Sequence, residues 1–264
     1  MNALLEARNV VKVFTTTREG KTQKIQAVRN VSINIHPGEI VGLVGESGCG
    51  KSTISRIMIG IEPSTSGSVI YEGKEVRTRA DWKALRRHVQ YVFQDPFTAL
   101  CPTMRIGDAL AEPLIIHRIG IPRERVDRVA HMLEMVGLHP DMARRMPSQL
   151  SGGQRQRVNL ARALMLEPKI LICDEIVSGL DVSVQAQVLQ LLIDLQEKLD
   201  LSLMFISHDL RVVHYLSSRV LVMYLGEIVE QGPTKVVFDN PEDAYTRSLL
   251  AAIPDHSRRS AANT

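Results

Sequence analysis

Residues 45–52 read GESGCGKS, with the spacing G-x-x-x-x-G-K-S that suits a loop wrapped around the phosphates of a nucleotide. Each residue type has a physical reason to be there. Gly45, Gly48 and Gly50 let the backbone turn tightly and bring its N–H groups against phosphate oxygens. Lys51 places an ammonium by the β- and γ-phosphates, and the Ser52 hydroxyl is a ligand of the kind Mg²⁺ takes. Glu46, Ser47, Cys49 and Thr53 complete the stretch that would contact the nucleotide. A glycine turn before a core helix is the plainer alternative, but the flanks argue against it. Apolar 39–44 reads as a strand, and 52–61 carries apolar residues at helical spacing. Strand, glycine loop and helix N-terminus together predict a nucleoside triphosphate site.

Such a loop needs a second handle on the metal and a group that orients water. The run ILICDE at 170–175 offers both, because an apolar strand delivers Asp174 and Glu175 to its C-terminal end. Asp174 would hold Mg²⁺ through its water shell, and Glu175 would orient the attacking water or accept its proton. Two acids at a strand end are by themselves as well explained by a solvated turn; the upstream loop tips the balance. A third motif, LSGGQRQR at 150–157, places Ser151 to cap a helix while Gly152 and Gly153 leave backbone N–H groups bare. It predicts a second anion site, distant in sequence from the first.

The elements that must carry these residues alternate. Short β-rich runs at 9–14, 26–35 and 67–71 occupy the first third, with a polar segment at 15–24 that reads as an exposed hairpin loop or insertion. A helix over 79–87 precedes an apolar strand at 89–93. From Pro96 the character changes: 104–117 and 123–135 carry helical periodicity, with Val126, Val129, Leu133 and Val136 expected on one face, and prolines punctuate the region. A helical subdomain over about 96–165 is expected there. Strands at 169–173 and 202–206, helices at 152–166, 183–198 and from Asp209, and a hairpin around Leu225-Gly226 complete the pattern. It predicts an α/β fold with a parallel sheet covered on both faces.

Composition sets the bounds. The 264 residues are 44% hydrophobic with a net charge of +3, which gives no argument for a nucleic-acid partner. Cys49, Cys101 and Cys173 form no C-x-x-C pair, so neither a disulfide framework nor a zinc site is expected, and a reducing cytosol suits the chain. No apolar run reaches the roughly 18–20 residues of a membrane span, and the N-terminus lacks the apolar core of a signal peptide.

Taken together, these motifs resemble the nucleotide-binding subunit of an ABC transporter, over about residues 5–254. LSGGQ is that superfamily's signature, which implies that Ser151, Gly152, Gly153 and Gln154 bind nucleotide. Phe14 matches the aromatic that stacks on adenine, and Gln94 in YVFQDP matches the glutamine that senses Mg²⁺ and water. Asp181 closes SGLD, which matches the D-loop, and His208 in FISHD matches the switch histidine. The implied fold is a P-loop NTPase ABC cassette with a RecA-like core, an N-terminal antiparallel β subdomain and an inserted helical subdomain. The cassette would span 1–240, with a short C-terminal extension over 241–264.

The stretches VGLVGESGCGKST, FQDPFTALCP, DVSVQAQVLQLL and AYTRSLLAAIP further resemble the oligopeptide, dipeptide and nickel importer branch. Two departures stand out. Ile176-Val177 replaces the usual Pro-Thr after the catalytic glutamate, and Glu242-Asp243-Ala244 replaces the His-Pro that opens the C-terminal motif. With no cysteine after Cys173, no iron–sulfur cluster is expected.

The resemblance implies ATP and Mg²⁺ as cofactors and catalytic roles for Lys51, Gln94, Glu175 and His208, with Ser52, Gln94 and Asp174 at the metal. It implies a second ATPase subunit of the same or a different chain, with each ATP between one loop and the other chain's LSGGQ. Two transmembrane permease subunits and, indirectly, an extracytoplasmic solute-binding protein would complete the assembly, placing this chain peripherally on the cytoplasmic face of the membrane. A soluble ABC ATPase acting on DNA or ribosomes is the rival reading. The interval between Ser52 and Ser151 is too short for the long coiled coil of chromosome-type members. A regulatory cassette that binds ATP without hydrolysis is a second rival, opposed by Glu175 and His208.

Overall fold

The computed structural model describes residues 3–18, 21–95 and 99–252, so Pro96, the end of the AYTRSLLAAIP stretch and the C-terminal tail lie outside the described residues. Two sheets organise the chain. Strands β1 (Leu5–Arg18), β2 (Lys21–Ile35), β4 (Ser66–Tyr71) and β5 (Lys74–Glu75) form an antiparallel sheet in the order β2-β1-β4-β5. Strands β3 (Ile40–Val44), β6 (Val89–Val92), β7 (Ile170–Asp174), β8 (Ser202–Ile206), β9 (Arg219–Tyr224) and β10 (Glu227–Pro233) form a second sheet in the order β10-β9-β3-β8-β7-β6. All its neighbours are parallel except β9 and β10, which the turn at Leu225-Gly226 joins as a hairpin. Of the polar segment at 15–24, residues 15–18 and 21–24 are paired strand, so a hairpin is found there with its arms in the sheet. Thr15 pairs with Lys24 and the ladder runs on to Arg18 opposite Lys21, because a two-stranded ribbon satisfies its backbone whatever its side chains.

The parallel sheet divides two cores. On β7, Ile170 and Ile172 face the antiparallel sheet and α1 (Lys51–Met58), while Leu171 and Cys173 face the helices on the other side. Alternation with period two sends successive side chains to opposite faces, and a strand covered on both is apolar throughout. All five β7 residues are buried.

Beside α2 (Arg79–His88) and β6 the chain enters α3 (Ile106–Ile116) and α4 (Pro122–Met135), then two short 3₁₀ turns, and returns through α5 (Gly152–Leu164). Val129, Leu133 and Val136 are buried on the expected face of this region, but Val126 is 67% exposed. It lines a surface cleft with Ile115 and Ala111, outside the packed seam. Helices α6 (Val182–Leu199), α7 (Leu210–Leu216), α8 (Thr234–Asp239) and α9 (Ala244–Ala251) complete the fold.

The strand that feeds the glycine loop is clamped at its start. Arg219 donates through Nε to Glu39 at 2.6 Å and through a terminal nitrogen to the Asn34 carbonyl at 2.6 Å, tying β3, β9 and β2 together. Burial raises the Glu39 carboxyl, but the Arg219 hydrogen bond, the His36 N–H that it accepts at 2.9 Å and the Arg219 charge together outweigh it and hold that carboxyl below its ordinary value. No described helix is long and apolar enough to cross a membrane.

Candidate nucleotide site

The loop between β3 and α1 is shaped by close contacts. Gly45 adopts φ +150° and Gly50 φ +113°. A Cβ on Gly45 would lie 2.1 Å from the Met223 carbonyl oxygen, and one on Gly50 2.4 Å from that of Ala27. Only glycine fits either position. Lys51, 4% exposed, folds back and donates to the carbonyl oxygens of Gly45 at 2.7 Å and Glu46 at 2.8 Å. Its ammonium thus ties the loop into a ring. Cys49 is buried in that ring, and burial pushes its thiol up against the opposing pull of Lys51.

Ser52 Oγ donates to Asp174 Oδ1 at 3.0 Å, at the end of β7. A hydroxyl and a carboxylate oxygen so placed fit a hard cation such as Mg²⁺. Among the described residues no group of three or more His, Cys, Asp or Glu could hold a metal by itself. An ion here would therefore lean on phosphate oxygens and water, which is how Mg²⁺ usually binds.

The second Asp174 oxygen accepts from the Tyr91 hydroxyl at 2.6 Å, and Ser55 Oγ lies 3.2 Å from that hydroxyl. Within YVFQDP the motif singles out Gln94 and not Tyr91. Its signal was the alternation on β6: Val89 and Tyr91 share a face with Ile170 and Ile172, toward α1. Burial, reinforced by the Asp174 carboxylate, pushes the Tyr91 phenol far above its ordinary range, so it remains a donor.

Glu175, one residue beyond Asp174, has φ +50°. A non-glycine residue in that left-handed region carries a cost of about 1–3 kcal/mol. Gln94 Nε2 donates to Glu175 Oε2 at 3.2 Å and to Ser178 Oγ at 3.4 Å, and His208 Nδ1 lies 3.3 Å from the same Glu175 oxygen. Gln94 follows β6, Glu175 follows β7 and His208 follows β8, so three neighbouring parallel strands deliver the trio to one end of the sheet. Crevices outside those carboxyl ends are where open α/β sheets bind ligands. The Gln94 amide is engaged by Glu175 and Ser178, not by Ser52 or Asp174.

Ile176 and Val177 are 1% and 3% exposed and pack into the helical-side core. The departure from Pro-Thr is absorbed as packing, while Ser178 closes the turn by donating through Oγ to the Glu175 carbonyl at 2.7 Å.

Ser151 and Gln154 form a reciprocal capping box on α5. The Gln154 N–H donates to Ser151 Oγ at 3.3 Å, and the Ser151 N–H to Gln154 Oε1 at 3.0 Å. Gly153 lets α5 approach α6: a Cβ there would lie 2.5 Å from Val184 Cγ1. Helix α5 packs on α3, α4, α6 and β6, whereas α1 packs on β1, β2 and β7. The described packing of one chain therefore keeps the signature and the glycine loop on different faces. Asp181 sits exposed at the start of α6. Phe14 stands half-buried on β1 opposite Ile25, with the Lys12 ammonium 4.8 Å from its ring centroid.

This geometry, a glycine loop between strand and helix beside an Asp-Glu strand end and a capped signature helix, is the arrangement that the motifs predict for an ABC cassette. The chain belongs to the ABC transporter family: the family model described as ABC transporter matches residues 28–178. It is 49% identical over 257 residues to the "Glutathione import ATP-binding protein GsiA" of Escherichia coli O157:H7, covering 95% of this chain and 41% of that protein. The chain thus spans about two fifths of the length of that relative. It is 51% identical over 246 residues to a Brucella abortus (strain 2308) protein named for peptide import and ATP binding, covering 92% of this chain and 73% of the other.

Among solved structures, the dimeric post-hydrolysis ATP-binding cassette MJ0796 bound to ADP and Pi superposes with a TM-score of 0.77 at 31% identity. That match covers 87% of this chain and 98% of the other. The cbiO1 protein of Clostridium perfringens, part of the ABC transporter complex cbiONQ, gives a TM-score of 0.79 at 27% identity, covering 99% of this chain and 100% of the other. The ABC cassette fold expected from the motifs is the observed fold.

Proposed function

We propose that this chain is the ATP-hydrolysing subunit of an importer for peptides or a related small solute, with glutathione-like molecules and nickel as further candidates. The observation that carries this reading is the convergence of Gln94, Glu175 and His208 beside the Lys51–Ser52–Asp174 site. The reaction is ATP + H₂O → ADP + phosphate. Lys51 exchanges its two loop carbonyls for β- and γ-phosphate oxygens, and the ring of N–H groups around it cradles the rest. Ser52 and Asp174 would hold Mg²⁺, which would supply charge to offset that of the phosphates. Glu175 takes the proton of the attacking water, held in place by Gln94 on one side and His208 on the other.

The separation of Ser151–Gln154 from the loop supports a head-to-tail pair of cassettes, each ATP lying between one loop and the other chain's signature. Loss of the bridging γ-phosphate then lets the interface open, which drives two transmembrane subunits between states. In this reading the chain sits on the cytoplasmic face of the membrane, and an extracytoplasmic binding protein selects the solute.

The test is to tag the chain, solubilise membranes in mild detergent and identify what co-purifies. Two polytopic membrane proteins, with or without a second cassette, are the expected result. Recovery only from the soluble fraction would replace the importer with a soluble ATPase.

A further inference from the structure

The glycine loop has an outer wall as well as an inner one. On the inside Lys51 holds the Gly45 and Glu46 carbonyls. On the outside the Tyr245 hydroxyl, from helix α9, accepts the Glu46 N–H at 3.0 Å. The Glu46 carbonyl also accepts the Cys49 N–H at 3.3 Å. Both peptide units of Glu46 are therefore pinned, one by α9 and one by the loop's own lysine.

The Tyr245 side chain is itself held. Its ring stacks on Tyr224, centroids 4.1 Å apart at 30°. Tyr224 ends β9, and two residues on the Gly226 N–H donates to the Cys49 carbonyl at 2.9 Å. Helix α9 is anchored in turn. Both Glu230 carboxylate oxygens accept backbone N–H groups, from Glu242 at 2.8 Å and Asp243 at 3.1 Å, and Asp243 Oδ1 caps α9 by accepting from Tyr245 and Thr246. The departure Glu242-Asp243-Ala244 thus supplies a helix cap that aims Tyr245 at the loop.

We propose that Tyr245 is a positioning residue for the nucleotide site: a latch through which the C-terminal helix fixes the resting shape of the phosphate loop and so raises its affinity for ATP. The latch rests on reading Gly45–Ser52 as that site. A loop already shaped for its ligand loses less freedom on binding. The hydroxyl oxygen supplies the effect by holding one N–H, so the tyrosine acts through Glu46 and not on the nucleotide.

The test compares binding of a fluorescent ATP analogue and steady-state ATPase kinetics in four full-length chains: wild type, Tyr245→Phe, Glu46→Pro and the double variant. Phenylalanine keeps the stack on Tyr224, and proline removes the N–H. Tyr245→Phe is expected to weaken ATP binding by about threefold to tenfold, the range of one net hydrogen bond, with the effect on KM and not on kcat. In the Glu46→Pro background the same change should do nothing further. Wild-type affinity in Tyr245→Phe would overturn the latch, and so would an equal loss in both backgrounds, which would mean that the tyrosine merely supports α9. A wild-type chain that binds no ATP would instead bring down the site reading, and the latch with it.

Discussion

Tyr91 and Asp174 stand on adjacent strands, and the phenol donates to the carboxylate at 2.6 Å while Ser52 occupies the other carboxylate oxygen at 3.0 Å. Asp174 is 1% exposed, and these two hydroxyls give each carboxylate oxygen a hydrogen-bond donor. Such partners orient a metal-binding carboxylate. Tyr91→Phe should weaken binding of the Mg²⁺ complex of ATP by about tenfold. Titration in Mg²⁺ and again in EDTA separates the roles: the deficit should vanish in EDTA, and an equal deficit in both would make Tyr91 a packing residue.

Lys51→Ala removes the ammonium that closes the loop and would meet the β- and γ-phosphates. Nucleotide binding or turnover should be abolished. Unchanged phosphate release by the variant would sink the assignment of the loop.

Glu175→Gln keeps the shape of the side chain but cannot take a proton. Turnover should fall by about 10²–10⁴-fold, and the variant should accumulate as an ATP-bound dimer. Size-exclusion chromatography with ATP reads the second effect. Wild-type turnover would overturn the proposed catalytic role of Glu175.

The three cysteines should react in a set order. Cys101 is exposed, and hydrogen bonds from Thr103 hold its thiol below the ordinary value. Burial pushes the thiols of Cys49 and Cys173 up. A maleimide at neutral pH should therefore label Cys101 first and Cys49 slowly, because the thiolate is the reactive form. Bound ATP should protect Cys49 alone, and labelling of Cys49 should block ATP binding. Mass spectrometry of peptides follows each site; no protection of Cys49 would mean that ATP does not occupy this loop.

The Glu39–Arg219 clamp should make stability depend on acid pH. The folded Glu39 carboxyl lies below its ordinary value of 4.5, so the unfolded chain binds more protons between the two values. The contribution is complete above about pH 4.5 and disappears as pH falls through the folded value. Glu39→Gln should cost about 1–3 kcal/mol near pH 7. Urea unfolding at pH 7 and pH 3.5 should show the gap to wild type narrowing at the lower pH; a constant gap would leave the carboxylate charge without a role.

The sequence by itself determined the parts whose chemistry is local. A loop of fixed spacing between strand and helix, two acids at a strand end and a serine-capped helix each occupy a few consecutive residues, so backbone geometry carries them into place wherever the segment lies. The same locality explains the strands of the parallel sheet, apolar on both faces and bounded by turns. Tertiary structure decided what depends on distant residues. Tyr91 reaches Asp174 from 83 positions away and Tyr245 reaches Glu46 from 199; alternation gives the face that Tyr91 takes, but no periodicity names either partner. It decided that 15–18 and 21–24 continue as paired strand and that Val126, on the apolar stripe of α4, faces solvent. It also turned Glu175 to φ +50° and set its carboxylate against Gln94 and His208. Sequence spacing specifies which backbone groups converge, because they share one short segment. Side chains from separate strands meet only where sheet order and register set those strands side by side.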